Sequence, residues 1–400
     1  MSILTPPVQA VKPDFSAPLG IYAKSSVHFS VKSEENQQKV QIKATRALRY
    51  QAHSQARQIL VKHGAIGRPT DTDPESDSAR NKYRTAKCRY VNFSDVAVNH
   101  SAKFDAAHYG GLTTCGSVWA CPICASRIQE RRRVELEKLV AWAELQGLMI
   151  VLVTFTFPHR AFQTLLDLLT MQASAYKLLR QTRGYREYMK KLGFVGLVRS
   201  LEVTHGLNGW HPHTHELWLV KKPIDQSTLV NFWQRACISA GLLDISDYRT
   251  HAAFQLHAVD VRFDVTCADY LAKQDDSRTW GVAHEVAKAT SKAGRAKGVH
   301  PHHFLIRQAS GDSQRFLEYV DGMKGKRQLY WSPGLKAKSG IDEKTDEELA
   351  TVHEESAHLL LLLTPDQWKL VRGNDARAEL LDAAELGGIT AMQALLQSLA

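Results

Sequence analysis

The chain lacks several features that would assign it to a class at once. No apolar run is long enough to cross a bilayer, since the best one, residues 147–157, has only the length of a buried strand. The start, MSILTPPVQAVKPDFSAPLG, has neither the basic nor the apolar region of a secretory signal. A phosphate-binding GxxxxGKS or GxxxxGKT loop is also missing. We therefore expect a cytoplasmic protein with no membrane partner.

Cysteine is scarce as well, with six residues in 400, which excludes a disulfide framework for a cytoplasmic chain of this size. Three of the six follow C-x5-C-x2-C spacing, and CPIC is a good zinc knuckle because two thiolates flank a tight turn. His100 and His108 are alternatives for the fourth ligand, a redox pair is the weaker alternative, and Cys237 and Cys267 are expected to be ordinary buried thiols. The predicted zinc ligands are Cys88, Cys115, Cys121 and Cys124.

Charge is unevenly distributed along the chain. Residues 341–400 carry 12 acidic and 4 basic side chains, whereas the first 340 residues carry 47 basic and 29 acidic ones. A basic body with an acidic end indicates a polyanionic partner such as nucleic acid, although the same balance serves solubility alone.

Strands and helices alternate around a central hairpin, which predicts an α+β fold with a central antiparallel sheet and flanking helices. Composition predicts five regions. They are a disordered tail (1–36), a basic helix and linker (37–81), a Cys-rich module (82–128), the main domain (129–340) and a separate acidic helical unit (341–400).

The segment LEVTHGLNGWHPHTHELWL, residues 201–219, reads as a hairpin in which alternate side chains share a face. If Asn208-Gly209 is the turn, Glu202 lies opposite His215, about 4.5–5.5 Å away between Cβ atoms. Glu202, His213 and His215 then offer an oxygen and two nitrogens to Mn²⁺ or Mg²⁺. His211 lies on the same face but is the weakest candidate as a ligand, because Pro212 disturbs the strand on that side. The alternative is a solvated row of surface histidines.

Further along, Tyr270 and Lys273 are three residues apart in VTCADYLAKQDDS, hence on one helical face. A tyrosine oxygen can attack phosphorus, and an ammonium group nearby can hold the phosphate. Core packing beside a solvated lysine is the common alternative for such a pair. A basic, glycine-containing stretch follows and is able to track a single strand of nucleic acid, or is an exposed loop. Its cations are Lys288, Lys292, Arg295 and Lys297.

Three motifs in this order resemble the plasmid rolling-circle replication initiators, in the single-tyrosine branch of the HUH endonuclease superfamily. IVLVTFTFPH (150–159) is similar to the first motif, GWHPHTHEL (209–217) to the metal-binding histidine pair, and CADYLAK (267–273) to the tyrosine motif. The stretches CGSVWACPICASRIQERRR (115–133) and KGKRQLYWSPGLK (324–336) are also similar to this family. The likeness extends from about residue 88 to 336.

Two positions depart from the family pattern. Thr214 stands between the paired histidines, where a bulky apolar residue is usual, and Thr266 stands where some relatives carry a water-activating glutamate. Other carboxylates are able to replace that glutamate, and the sequence leaves the choice open. They are Asp269, Asp275, Asp276 and Glu285.

The resemblance implies a nicking and joining enzyme with an HUH-type sheet in residues 129–340. A divalent ion on Glu202, His213 and His215 would polarise a phosphate at the plasmid origin, single-stranded or in a hairpin. Tyr270 would attack, helped by Lys273, to leave a 3′-hydroxyl for a host polymerase and a 5′-phosphotyrosine, while a host helicase unwinds the duplex. Lys324, Lys326 and Arg327 of the second stretch would join the basic loop in binding DNA.

Two other classes fit part of the sequence. An HUH-type transposase shares the cleavage step, and a non-catalytic, zinc-containing DNA-binding repressor would keep the cysteines and the basic body. A relaxase fits less well, because relaxases often place the tyrosine before the histidines.

Overall fold

The computed structural model describes residues 27–65, 80–102, 105–263, 298–351 and 357–400, with side chains from Ala44 onward. By internal contacts the chain divides into Met1–Lys43 and Ala44–Ala400, and the second unit contains every described strand and side chain. None of the helices in this part of the chain combines the length and apolar character that crossing a bilayer requires.

The described strands form two antiparallel sheets, ordered β6-β3-β5-β4-β7 and β2-β1-β8. The prediction of an α+β fold with a central antiparallel sheet is thereby confirmed. The strands are β1 (Asn92–Ser101), β2 (Ala106–Leu112), β3 (Met149–Phe155), β4 (Gly196–Gly206), β5 (Gly209–Val220), β6 (Val259–Arg262), β7 (Leu329–Trp331) and β8 (Ala357–Leu363).

Helices pack on both sheets, and short 3-10 turns occupy Arg84–Lys87 and Pro301–His303. The helices are α1 (Val27–Gly64), α2 (Pro122–Leu145), α3 (Leu165–Gln181), α4 (Arg183–Lys191), α5 (Gln226–Ser239), α6 (Tyr248–His257), α7 (Phe304–Arg307), α8 (Asp312–Met323), α9 (Leu335–Lys338), α10 (Asp346–Thr351), α11 (Pro365–Gly373) and α12 (Arg377–Leu399).

Several helix starts are specified by local side chains. The carboxylate of Asp225 accepts hydrogen bonds from the amides of Ser227 and Thr228 at the start of α5. Thr364 and Gln367 form a reciprocal capping box at the start of α11. These bonds satisfy amides that have no partner within the first helical turn, and so they fix where each helix begins.

The five-stranded sheet is covered on both faces. Trp218 of β5 and Trp233 of α5 are fully buried on one face, together with apolar side chains of α3. On the other face, Leu217 of β5 packs with Leu136 and Leu139 of α2. Because successive strand residues alternate between these layers, each residue of the central hairpin is committed to one side of the sheet.

The C-terminal region is not the separate helical unit that its acidity predicts. Its strand β8 pairs with β1, so that residues 357–363 complete the three-stranded sheet of the Cys-rich region. Trp368 and Leu380 of this region are buried, whereas Leu359 is 54% exposed. The prediction was wrong because a pairing between segments this far apart leaves no mark on local composition.

Two other predicted boundaries also shift. Helix α1 begins at Val27, so residues 27–36, assigned by composition to a disordered tail, are helical. Helix α2 begins at Pro122 and runs through the expected division between residues 128 and 129. A single continuous helix therefore connects the cysteine cluster to the large sheet.

Candidate functional site

The hairpin formed by β4 and β5 carries the predicted metal ligands, with a pairing that differs from the sequence-based one. Gly206 pairs with Gly209, so Leu207-Asn208 forms the turn, Glu202 lies opposite His213, and His215 lies opposite Ser200. The expected Asn208-Gly209 turn requires positive φ at both residues, and only Gly209 has it, at 78°. The prediction of Glu202 opposite His215 was therefore wrong.

The shift leaves the ligand face unchanged. Partner numbers change by two, and side chains repeat their face every two residues, so Glu202, His213 and His215 still point the same way. The Oε2 atom of Glu202 lies 3.2 Å from Nε2 of His213 and 3.1 Å from Nε2 of His215. One ligand atom from each of the three residues lies within 4.8 Å of the other two, so the group is able to hold a metal ion.

Further contacts orient the two imidazoles. Nδ1 of His215 lies 2.9 Å from the hydroxyl of Thr154 on β3, and Nδ1 of His213 lies 3.2 Å from the carbonyl of His211. With Nδ1 engaged, Nε2 of each ring faces Glu202. Burial alone would raise the pKa of Glu202, but hydrogen bonds from both histidines outweigh it and hold that pKa well below its usual range. The carboxylate is thus ionised at neutral pH, which is the form that a metal ion would require.

His211 is not part of this group. Its Nε2 lies 2.7 Å from the hydroxyl of Thr156, and its ring stacks on His159 with centroids 4.6 Å apart. Burial, then the charge of His213, lowers the pKa of His211 to about 3, so the ring is neutral. The contacts of Thr154 and Thr156 with these histidines explain the alternating threonines of the first motif, a role that the sequence did not reveal.

The four predicted cysteines come together in one buried cluster, apart from His100 and His108. Sγ of Cys88 lies 3.5 Å from Cys124 and 3.6 Å from Cys121, and Sγ of Cys115 lies 3.7 Å from Cys124. Four sulfurs around one ion at about 2.3 Å would lie about 3.8 Å apart in a tetrahedron, so the set fits a metal-centred arrangement. These separations are far from the roughly 2.05 Å of a disulfide.

Backbone amides donate hydrogen bonds to three of the four sulfurs. The amide of Cys115 donates to Sγ of Cys88, that of Ser117 to Cys115, and that of Cys124 to Cys121, each at 3.4 Å. The last bond caps the start of α2, and Pro122 occupies the first helical position, where no amide is needed. Cys237 is a buried free thiol elsewhere, as predicted.

The predicted nucleophile lies outside the described residues. Tyr270 and Lys273 fall in residues 264–297, as do Thr266, Cys267 and the basic stretch with Lys288, Lys292, Arg295 and Lys297. The described chain stops just after β6, which pairs with β3, and resumes at Gly298. There Val299 forms a two-way backbone bridge with His205 at the end of β4.

The other predicted DNA-binding cations are on described residues. Lys324, Lys326 and Arg327 lie in the connection between α8 and β7, with Arg327 exposed. The indole of Trp119 donates a 2.8 Å hydrogen bond to the carbonyl of Lys326, which fixes this connection beside the Cys-rich region. Lys326 and Arg327 also line a cavity on the sheet face opposite Glu202.

Comparison with known proteins identifies relatives of this chain. A family described as "Replication protein" matches residues 112–361. "Protein rep" of Streptomyces lividans is 27% identical over 349 residues, covering 69% of this chain and 76% of that protein. "Neomycin resistance protein" of Streptomyces cyanogenus is 32% identical over 136 residues, covering 28% of this chain and 31% of that protein. No solved structure matches.

The family match covers more than half of the chain, from the cysteine loop through both strands of the histidine hairpin to β8. The chain belongs to the replication protein family.

Proposed function

We propose that this protein initiates rolling-circle replication of a plasmid by nicking one strand of its origin DNA through Tyr270. The observation that carries the proposal is the convergence of Glu202, His213 and His215 on one face of the hairpin. In a family of replication proteins, a carboxylate and two imidazoles at that spacing favour metal-assisted cleavage of a phosphodiester bond.

The donor set fits a small divalent ion. Adjacent ligands of an octahedral ion at about 2.1 Å lie about 3.0 Å apart, close to the 3.1 and 3.2 Å between Glu202 and the two histidines. Mn²⁺ or Mg²⁺ bound there would supply a Lewis acid for a phosphate oxygen. Thr154 and the carbonyl of His211 hold the rings so that both Nε2 atoms remain directed at one point.

In the proposed reaction, the Tyr270 oxygen forms a bond to phosphorus and the bond from phosphorus to the 3′ oxygen breaks. The phenol proton is lost, the 3′ oxygen gains a proton, and the 5′ phosphate stays on the tyrosine, so bond energy is conserved for later rejoining. Lys273, one helical turn away if the segment is helical, would hold the phosphate and favour the phenolate. The described residues on both sides of this segment belong to the large sheet, since β6 pairs with β3 and Val299 forms a bridge with His205 of β4.

The four-cysteine cluster is proposed to hold structural zinc. Its ligands are fully buried and come from three stretches of chain, so an ion there would tie the 3-10 turn at Arg84–Lys87 to the start of α2. A zinc ion held by four sulfurs would have no open ligand position. It would therefore stabilise the fold and take no part in the reaction, which is proposed for the site at Glu202, His213 and His215.

The remaining parts of the proposal concern DNA and host proteins. Lys324, Lys326 and Arg327, with Lys288, Lys292, Arg295 and Lys297, would contact phosphates of the origin, single-stranded or in a hairpin. A host helicase would unwind the duplex and a host polymerase would extend the 3′ end.

The test uses labelled single-stranded oligonucleotides tiled across the plasmid's origin region, with Mn²⁺. We expect a covalent protein–DNA adduct that survives denaturing electrophoresis, and its absence after chelation or in Tyr270→Phe. Tyr248→Phe, a change on the exposed side of α6, is the matched control and should form the adduct. Binding of the same oligonucleotides without any adduct would refute nicking and favour a repressor.

A further inference from the structure

A cavity of about 260 Å³ lies between α3, the edge of the large sheet and the basic connection before β7. Arg199, Leu201 and Thr214 form its floor, and alternation along β4 and β5 places these side chains on the face opposite Glu202, His213 and His215. The cavity is therefore separate from the proposed metal site, although it uses the same two strands.

The smallness of one side chain helps to open this space. Thr214 is a small residue that lines the cavity, and its hydroxyl forms a hydrogen bond with that of Tyr176 at the cavity wall. A larger apolar side chain at this buried position would project into the volume that is now open.

The walls are cationic and aromatic. Arg199 lies between two rings, with its Cζ atom 4.7 Å from the centroid of Tyr176 and 4.9 Å from that of Tyr330. Buried Glu216 neutralises part of the charge, at 3.1 Å from Arg199 and 3.3 Å from Arg180. Two guanidinium groups share this one carboxylate, and Lys326 and Arg327 add cations at the rim, so a net positive field remains.

One buried amide has an unused donor. Gln172 of α3 is only 4% exposed and lines the cavity, and no acceptor in the described part of the chain hydrogen-bonds its Nε2. A buried donor left unsatisfied is costly, which indicates that a ligand or water supplies the missing acceptor.

We propose that this cavity binds one unstacked nucleotide of single-stranded DNA. The base would stack against the exposed part of Tyr330 and accept a hydrogen bond from Gln172, while Lys326 and Arg327 hold its phosphate. The volume is below the range of about 300–1,000 Å³ that accommodates drug-sized ligands, which suits a single base better than a dinucleotide cofactor. The inference deepens the proposed function, since it rests on single-stranded DNA being the partner.

The experiment measures fluorescence anisotropy of labelled oligothymidylate with the full chain in the Tyr270→Phe background, without added Mn²⁺. No adduct forms under these conditions, so binding is scored independently of nicking. Tyr330→Ala should weaken binding on the order of tenfold, and Gln172→Leu by about 2- to 10-fold. Tyr330→Phe should retain the affinity, because stacking needs the ring and not the hydroxyl. Tyr248→Ala is the control for an exposed tyrosine elsewhere.

A second variant fills the cavity instead of removing a contact. Thr214→Leu should weaken binding about as much as Tyr330→Ala does, and it should still show cooperative thermal unfolding. The second measurement separates filling of the cavity from damage to the fold. Unchanged affinity for the oligonucleotide in both Tyr330→Ala and Thr214→Leu would overturn the proposal. It would do so even if free dTMP were found to occupy the cavity, because the cavity would then not contribute to binding of the oligonucleotide. Failure of adduct formation in the wild-type chain, by contrast, would overturn nicking and leave this binding result standing.

Discussion

Replacing Gly209 with alanine tests whether the tight hairpin end sets the geometry of the metal ligands. Gly209 has φ +78°, and a Cβ there would lie 3.0 Å from Cα and 3.1 Å from the carbonyl oxygen of Ala161. Backbone atoms cannot rotate away, so the chain before α3 or the start of β5 must move. The matched control is Gly147→Ala, where φ is +64° and nothing lies within 4 Å.

The two substitutions share one cost and differ in the other. A left-handed conformation costs a non-glycine residue about 1–2 kcal/mol, and the reduced freedom of the unfolded chain returns about 0.4–1 kcal/mol in both variants. The close approach adds about 1–3 kcal/mol in Gly209→Ala alone, by analogy with overpacked cores. The difference between the variants in the free energy of unfolding is therefore expected to be about 1–3 kcal/mol.

Urea denaturation of both variants and of the wild type, in zinc-containing buffer, measures this difference, and Mn²⁺ titration measures the effect on the site. Gly209→Ala should weaken Mn²⁺ binding, because the proposed ligand His213 follows closely on the same strand, while Gly147→Ala should leave it unchanged. Equal loss of stability in the two variants, with equal Mn²⁺ affinity, would refute the steric reasoning.

Three further outcomes are expected. Cys115→Ser should lose bound zinc by elemental analysis, whereas Cys237→Ser should keep it, and zinc retained in the first variant would exclude the four-sulfur site. Glu202→Gln should weaken Mn²⁺ binding more than about tenfold by calorimetry, since even supporting residues are worth about 10- to 100-fold, and an unchanged affinity would remove Glu202 from the ligands. Burial holds the pKa of His302 well below 6.5, so the unfolded chain takes up the proton first, and stability should fall by up to about 1.4 kcal/mol per pH unit below pH 6.5. His302→Gln should flatten that dependence in denaturation series, and an unaltered slope would contradict it.

The sequence predicted which hairpin residues share a face but not which residues lie opposite each other. Face depends only on the parity of the numbering, so Glu202, His213 and His215 converge under either turn. The partner of Glu202 depends on which two residues form the turn, and Leu207-Asn208 forms it in place of Asn208-Gly209. The one observed places a positive φ at Gly209 alone, next to Ala161, a contact far away in the sequence.

The cysteine cluster could be predicted from local spacing in the sequence, whereas the cavity could not. Two of the four ligands flank a tight CPIC turn, and only Cys88 had to be chosen among distant candidates. The cavity instead collects Gln172, Arg199 and Tyr330 from a helix and two strands, and none of them belongs to a recognisable spacing.

The pairing of β8 with β1 makes the order of synthesis matter. The three-stranded sheet, whose first two strands lie between Cys88 and Cys115 in the chain, starts near residue 92 but lacks its third strand until residues 357–363 have left the ribosome, after every proposed ligand and Tyr270 have been made. A chain that stops shortly after β7 would thus contain all the chemistry and still expose one full side of β1 to pairing with other chains. Assembly of the three-stranded sheet therefore depends on residues 357–363, which are made long after its first two strands.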